Sequence, residues 1–441
     1  EIALGWTITP DFVEEHGMTG IWTVFLNQWK PIFRREVVSV DTGVTPNTVT
    51  VNIPLRYPAK TRDGASIRKE TGYMSECGVQ DLGLSNAVDY LSAWTNEREH
   101  LCAFYNMKDC WIRNVHSFVS PNPANTGGYH LQNSGFLING SKRFTVKDCR
   151  IEKAQNRGSG GCGYLYEIGA SNELLIEDCA GIDGRHNFIQ NWDFGTTGCV
   201  FLRCYSIGSK NMTNPSLGVR ADCEFHHSLS MACLIDSCRL ADGWYGGNRG
   251  LESSGAGHTV TQSVYWNTDG LGSGRIRSFQ YGDGYIIGSH DITLIYDISL
   301  ELGASTAPQD TVEASNMGER LYPRSLYEDQ KIRRLGGTPE TPCADCACLL
   351  GQVETEWQTL ALAQAFDDNA ANLPGDTIFE RWSLELAARL ICEETNPASA
   401  AIESAYYTNL NNFAFESSTT QAGIATIQHT LALLLAISPA L

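Results

Sequence analysis

The stretch Phe144-Thr-Val-Lys-Asp-Cys-Arg-Ile151 is a short apolar run interleaved with polar residues. Its texture returns in Leu174-Leu-Ile-Glu-Asp-Cys179, Cys199-Val-Phe-Leu-Arg-Cys-Tyr-Ser206, Ala232-Cys-Leu-Ile-Asp-Ser-Cys-Arg-Leu240 and Asp291-Ile-Thr-Leu-Ile-Tyr296. Such alternation is the mark of a strand. A Cys follows Asp, Arg or Ser at Asp109-Cys110, Asp148-Cys149, Asp178-Cys179, Arg203-Cys204 and Ser237-Cys238. The steps lie 39, 30, 25 and 34 residues apart, each one turn of a coil plus loops of varying length. Periods of this size, without helices between the strands, predict a parallel β-helix rather than βαβ units. Each coil then buries its small inward residues on those of the next. The recurring Cys form an interior stack, because a free Cys packs as a small hydrophobe.

Outward from this core the composition changes near residue 340. Cys343–Leu441 holds twelve acidic and two basic residues, a balance of −10 out of −18 for the chain. The segment Arg334-Leu-Gly-Gly-Thr-Pro-Glu-Thr-Pro342 reads as a linker. Thr377 followed by Glu380 fits a capping box. Phe379, Trp382, Leu386 and Leu390 then make one apolar helical face. The predicted organisation is therefore mainly β. Residues 1–69 form a lead-in and capping segment, 70–336 the β-helix, 337–342 a linker, and 343–441 an acidic, mostly helical C-terminal domain. Arg35-Glu-Val-Val-Ser-Val40 and Thr48-Val-Thr-Val-Asn-Ile53 read as strands of the lead-in.

Charge and composition exclude several classes. With 42% hydrophobic and 19% charged residues the chain is neither disordered nor a coiled coil. A charge of −18 argues against nucleic acid as a partner, since phosphate binding needs clustered Lys and Arg. No apolar stretch is long enough to span a membrane. The chain opens at Glu1 with no initiator Met and no signal peptide, as a processed, secreted chain would, and equally a trimmed one. Fifteen Cys favour an oxidising compartment with disulfides, and the odd count leaves a thiol unpaired or bridging to another chain. Cys343, Cys346, Cys348 and Cys392 of the tail are read as disulfide partners before a zinc site. Asn139-Gly-Ser141 and Asn211-Met-Thr213 are glycosylation sequons.

A more specific likeness lies in Glu224-Phe-His-His227 running into Leu234-Ile-Asp236, then Asn248-Arg-Gly250, Gly255-Ala-Gly-His258 and Val264-Tyr-Trp-Asn267. With the closing segment Ser325–Gly336, this resembles the right-handed parallel β-helix proteins of the pectate-lyase-like superfamily, in a poorly characterised branch. The likeness covers roughly 70–336, so the C-terminal domain is an addition to it. It implies a right-handed solenoid, an extracellular setting and a polysaccharide partner. The Ca2+-binding Asp set of the better-known pectate lyases is not recognisable here. No cofactor is therefore expected, and no metal ligand set is assigned.

Lyases of uronic-acid polymers need a group that neutralises the substrate carboxylate and a base that removes the adjacent proton. Hydrolases use paired carboxylates. Asn156-Arg157, Arg185-His186-Asn187, His226-His227, Asn248-Arg249 and His258 fall at loop-like positions of successive coils. Residues one turn apart stack at the ≈ 4.8 Å spacing of neighbouring strands, so these segments would line one strip. His226 or His258 is the candidate base and Arg249 or Arg185 the neutraliser. Asn156, Arg157, His186, Asn187, His227, Asn248 and Trp244 are the candidate substrate-binding residues. The plainer use of such Asn and His is to bond backbone at coil corners. Rings at Trp192, Phe194, Trp244, Tyr245, Trp266, Phe279, Tyr281 and Tyr285 either stack on sugars or pack the coils. Asp222, Asp236 and Asp242 offer no convincing hydrolase pair.

Two functions follow. One is a secreted carbohydrate-active or carbohydrate-binding protein, a polysaccharide lyase or hydrolase if an enzyme. The other is a non-catalytic subunit of an extracellular fibre or surface filament, self-assembling through residues 343–441.

Overall fold

The computed structural model describes residues 1–158, 160–214, 217–227, 229–297, 310–315 and 321–339. The predicted C-terminal domain, the end of the linker and the four tail Cys lie outside the described residues.

Long parallel sheets build a β-helix-like solenoid. A turn is made of three strands, as in Ser134–Asn139, Lys142–Lys147 and Arg150–Glu152. The next turn sets Tyr164–Gly169, Leu175–Glu177 and Ala180–Ile182 beside them in parallel register. The first strands of each turn form an eight-stranded sheet, from His100–Tyr105 to Thr293–Ile295. The second and third strands together form a fourteen-stranded sheet. They are joined because the long strand Met107–Ser117 pairs with both Lys142–Lys147 and Arg150.

The corners explain the recurring dipeptides. Asp148, Asp178, Arg203, Ser237 and Asn267 all have φ between 48° and 57°. This left-handed conformation suits Asn and Asp best after Gly. It turns the chain while keeping the ladder intact: the N–H of Asp178 donates to the Leu202 carbonyl, and that of Arg203 to the Asp236 carbonyl. The residue after each corner then points inward. Register puts Cys149, Cys179, Cys204 and Cys238 in one buried column. Cys110 departs from the expected stack. It pairs with Phe144 across the other corner, and Val115 takes the place above Cys149.

The expected disulfides are not present among the described residues: Cys77, Cys102, Cys110, Cys149, Cys162, Cys179, Cys199, Cys204, Cys223, Cys233 and Cys238 are all free thiols. Residues facing each other in neighbouring strands stand ≈ 4.8 Å apart, wider than the ≈ 3.8 Å between Cβ atoms that a disulfide wants. Cys77 and Cys110 sulfurs accordingly sit 3.7 Å apart without a bond. Burial pushes the thiols of Cys179, Cys199 and Cys204 well above their ordinary pKa, so they are unreactive filler.

Residues 1–69 pack against several successive turns. They lie along its flank. Strand Ile2–Thr7 pairs antiparallel with Trp29–Arg35 and Ser66–Lys69. The two strands expected in this segment appear as an exposed hairpin, Val37–Asp41 with Thr48–Val51. Trp6, Phe12, Trp22, Phe25 and Phe33 form a second core with Phe194, Leu229 and Met231 of the coils. Polar ties run along the flank: Arg56 to Glu173 at 2.7 Å, Lys30 to Asp193 at 3.0 Å, and Thr19 N–H to the Gly255 carbonyl at 2.9 Å. At the corner that carries Asp236, helix Leu326–Arg334 is capped by Ser325 and held to the coils through that carboxylate. Among the described residues no helix is long and apolar enough to cross a membrane.

Candidate functional site

The eight-stranded sheet carries the polar cluster. Register aligns Ile189 with Glu224, Glu224 with Tyr245, and Tyr245 with Arg277 on successive strands. Asp222 and Arg275 fall one place outside the strand pairs on either side of Gly243. Gly243 has φ 136°, and a Cβ there would collide with the Arg275 carbonyl oxygen, so glycine permits the close approach of these strands. An antiparallel hairpin, Lys210–Asn214 with Leu217–Arg220, leaves the coil between strands His186–Gln190 and Cys223–Phe225. The resulting cleft of ≈ 290 Å³ is lined by Arg185, Arg220, Arg249, Arg275 and Arg277, together with His186, Asp222, Glu224 and His226.

Two buried carboxylates organise it. Asp222 accepts from Arg275 Nε at 2.9 Å and from Arg277 Nη2 at 2.8 Å. Glu224 accepts from Arg249 Nη2 at 2.9 Å. The guanidinium groups of Arg277 and Arg249 lie 4.4 and 5.1 Å from the ring centroid of Tyr245. Burial by itself raises the Glu224 pKa; the Arg249 guanidinium leads the influences that outweigh it and hold the carboxyl below its usual range.

The imidazoles are neutral. Burial pushes His226 well below its ordinary pKa, reinforced by Arg249 and by its His neighbours, and burial also lowers His186. His186 Nδ1 lies 2.6 Å from the Asp222 carbonyl oxygen, so Nδ1 carries the proton. Its Nε2 is buried, has no hydrogen-bond partner and lies 3.8 Å from Glu224 Oε2. His226 Nε2 is 3.6 Å from the same oxygen, and its Nδ1 is 2.5 Å from Nδ1 of His227. His227 has Asn191 Oδ1 at 3.0 Å from Nδ1 and the Ser253 carbonyl at 3.0 Å from Nε2.

Arg185, His186, His226, His227 and Arg249 thus come together as the sequence reading expects. The other candidates do not join them. His258 is 1% exposed, covered by the N-terminal segment, with its N–H on the His16 carbonyl and its ring 5.0 Å from Tyr281. It cannot meet a polymer. Trp244 is fully buried against Phe201 at 4.9 Å and belongs to the core. Asn187 is buried too, donating to the Gly181 carbonyl and Ser206 Oγ. Asn156 and Asn248 accept from the N–H of Gly158 and Gly250, so each holds a corner. Arg157 sits at the corner beside Arg185 and does not line the cleft. Of the other rings, Phe194, Tyr245 and Phe279 are buried, whereas Tyr285 is 38% exposed.

Sequence reasoning missed Glu224 and the Arg275–Arg277 pair. Glu224 stood inside the quoted Glu224-Phe-His-His227 segment, two residues before His226, and was not read as a partner of it. Arg275 and Arg277 are spaced as strand residues on one face, which is a signal open to inspection.

No protein-family model matches the chain, and no curated protein does. A solved structure described as "QnrB1 (Full length), a plasmid-mediated fluoroquinolone resistance protein" is similar at 10% identity, over 60% of this chain and 100% of that one, with a TM-score of 0.14. At that score it carries no argument about this chain.

Proposed function

We propose that this chain is a secreted carbohydrate-active or carbohydrate-binding protein of the right-handed, pectate-lyase-like kind, and that the arginine cleft takes an acidic polysaccharide. One observation carries the reading: five arginines surround a single cleft in a chain of net charge −18. A guanidinium offers five donors in a planar fork matched to a carboxylate. Asp222, Glu224, the Ser253 hydroxyl and the carbonyls of Gly158 and Asp242 occupy some of those donors, which leaves others for a uronate. In lyase chemistry Arg249 or Arg185 neutralises the sugar carboxylate, and His226, neutral and so in its basic form, accepts the acidified proton. The low basicity of a buried imidazole makes it a weak base, which favours binding over fast turnover.

The test incubates the full chain with polygalacturonate, alginate, a glycosaminoglycan and neutral glucans. Affinity electrophoresis reads binding; new reducing ends and ultraviolet absorbance of an unsaturated product read cleavage. The expected result is retardation by uronate polymers and not by glucan, weakened about tenfold or more in Arg277→Gln, the scale of one lost charge-assisted hydrogen bond. Retardation by none of these polymers overturns the proposal.

A further inference from the structure

We propose that His186, Glu224 and His226 form a binding site for one divalent transition-metal ion, with Zn2+ as the natural probe. One ring nitrogen from each of His186 and His226 and a carboxylate oxygen of Glu224 all lie within 4.8 Å of one another, and both Nε2 atoms face Glu224 Oε2, at 3.8 and 3.6 Å. Two imidazoles and one carboxylate are a donor set suited to zinc and its first-row neighbours, and three protein ligands leave a position open.

The separate observation is the buried, unpartnered nitrogen. His186 is 4% exposed, and its Nε2 finds no hydrogen-bond partner while facing Glu224. A buried polar atom left unpaired costs about 1–3 kcal/mol, and native structures rarely leave one without a reason. The proton on Nδ1 is fixed by the Asp222 carbonyl, which makes Nε2 a bare lone pair. A ligating histidine ordinarily donates its other N–H to a backbone carbonyl in this way.

His226 completes the set through a relay. His227 donates Nε2–H to the Ser253 carbonyl, so its Nδ1 accepts from Nδ1 of His226. That leaves His226 Nε2 bare and directed at Glu224. The competing arrangement puts the His227 proton on Nδ1, toward Asn191 Oδ1, and closes the site.

Size and charge bear on it in opposite ways. Ligands about 2.0–2.1 Å from a tetrahedral ion stand roughly 3.3 Å apart, so the imidazole–carboxylate distances of 3.6 and 3.8 Å close by a few tenths of an ångström, and the two imidazole nitrogens, within 4.8 Å of each other, close by at most about 1.5 Å. Arg249 opposes the ion and bonds Oε2, the same oxygen that faces both imidazoles, so Oε2 must use its second lone pair for the ion, or the carboxylate must turn Oε1 toward it. The surrounding guanidinium groups make an anion the fitting fourth ligand.

The inference does not rest on the carbohydrate reading: an ion on His226 Nε2 takes that nitrogen out of base chemistry but leaves polymer binding by the arginines intact, and metal uptake is measured with no glycan present. The full chain, stripped with chelator, is titrated with Zn2+ and then Co2+. The expected result is one equivalent bound, with a visible Co2+ spectrum free of thiolate charge-transfer bands. His186→Asn, Glu224→Gln and His226→Asn should each weaken binding about 100-fold or more, beyond the 10–100-fold typical of an outer-shell loss, while His290→Asn changes nothing. The Co2+ spectrum of the unmodified chain decides the matter even where a variant fails to fold. No stoichiometric uptake overturns the proposal, as does a thiolate spectrum, which would place the ion on cysteines such as those at 343–348.

Discussion

Four histidines, His16, His130, His227 and His258, are each pushed down to about 4, in every case first by burial. In the unfolded chain they titrate near 6.5. Between these values the unfolded state binds protons that the folded state refuses. Stability therefore falls as pH drops from about 6.5 toward 4, by about 1.4 kcal/mol per pH unit for each fully titrating group. Lowered carboxyls such as Glu15, held at about 2 by Lys60 and Arg62 against its burial, extend the loss below pH 4.5. Denaturant melts at several pH values check this. A midpoint unchanged between pH 7 and pH 5 would sink it. The same burial explains why single residues were only partly legible. Arg185, His186, His226 and Arg249 could be recognised as chemistry-bearing types at corner positions. That His258 lies beneath the N-terminal flank depends on residues far away in sequence. Trp244 is buried because its column partners are Cys223 and Ile276, and one small neighbour makes room for a large ring.

At the scale of elements, the dipeptide step was the legible feature, and its physical content is a left-handed corner followed by an inward side chain. The ambiguity over Cys110 comes from Met107–Ser117, a strand long enough to serve two faces. It has left-handed residues at both Asp109 and Asn114, and nothing local says which corner a given Cys follows. The closing helix is a second element whose support is specific. Asp236 accepts from Ser325 Oγ and from the N–H of Tyr327, both at 2.8 Å, while Ser325 also accepts from the N–H of Glu328 at 3.1 Å. Arg203 reaches Glu328 from the next corner at 2.6 Å. Ser325→Ala removes the cap and one of these bonds and should cost about 1–2 kcal/mol. Asp236→Ala should leave the helix undocked. Hydrogen exchange reads this: amides of 326–334 should lose protection while those of Ser134–Asn139 keep theirs. No loss would mean that the helix is held by other contacts, and uniform loss that Asp236 supports the coils rather than the helix.

Across the whole molecule, the flank formed by residues 1–69 matters more than its sequence suggested. Its ties reach from Glu1 on Lys142 and Lys108, through Asn172 and Glu173, to Glu15 on Tyr281, so it braces many successive turns at once. A solenoid turn touches only its neighbours, and its stability is a sum of local terms. A brace running along the turns couples them and makes separate fraying of one turn costlier. It also covers apolar surface: Phe194, Leu229 and Met231 are buried largely by Phe12, Trp22 and Phe25. Removing 1–69 should therefore expose a continuous apolar face, and such faces drive association. The expected outcome for a chain beginning at residue 70 is binding of a hydrophobic dye, self-association on gel filtration and a broadened melt. A segment that merely led into the first turn would leave the later turns untouched by its removal. If the shortened chain stays monomeric and melts as sharply as the parent, the brace contributes nothing to cooperativity, and the turns carry their stability alone.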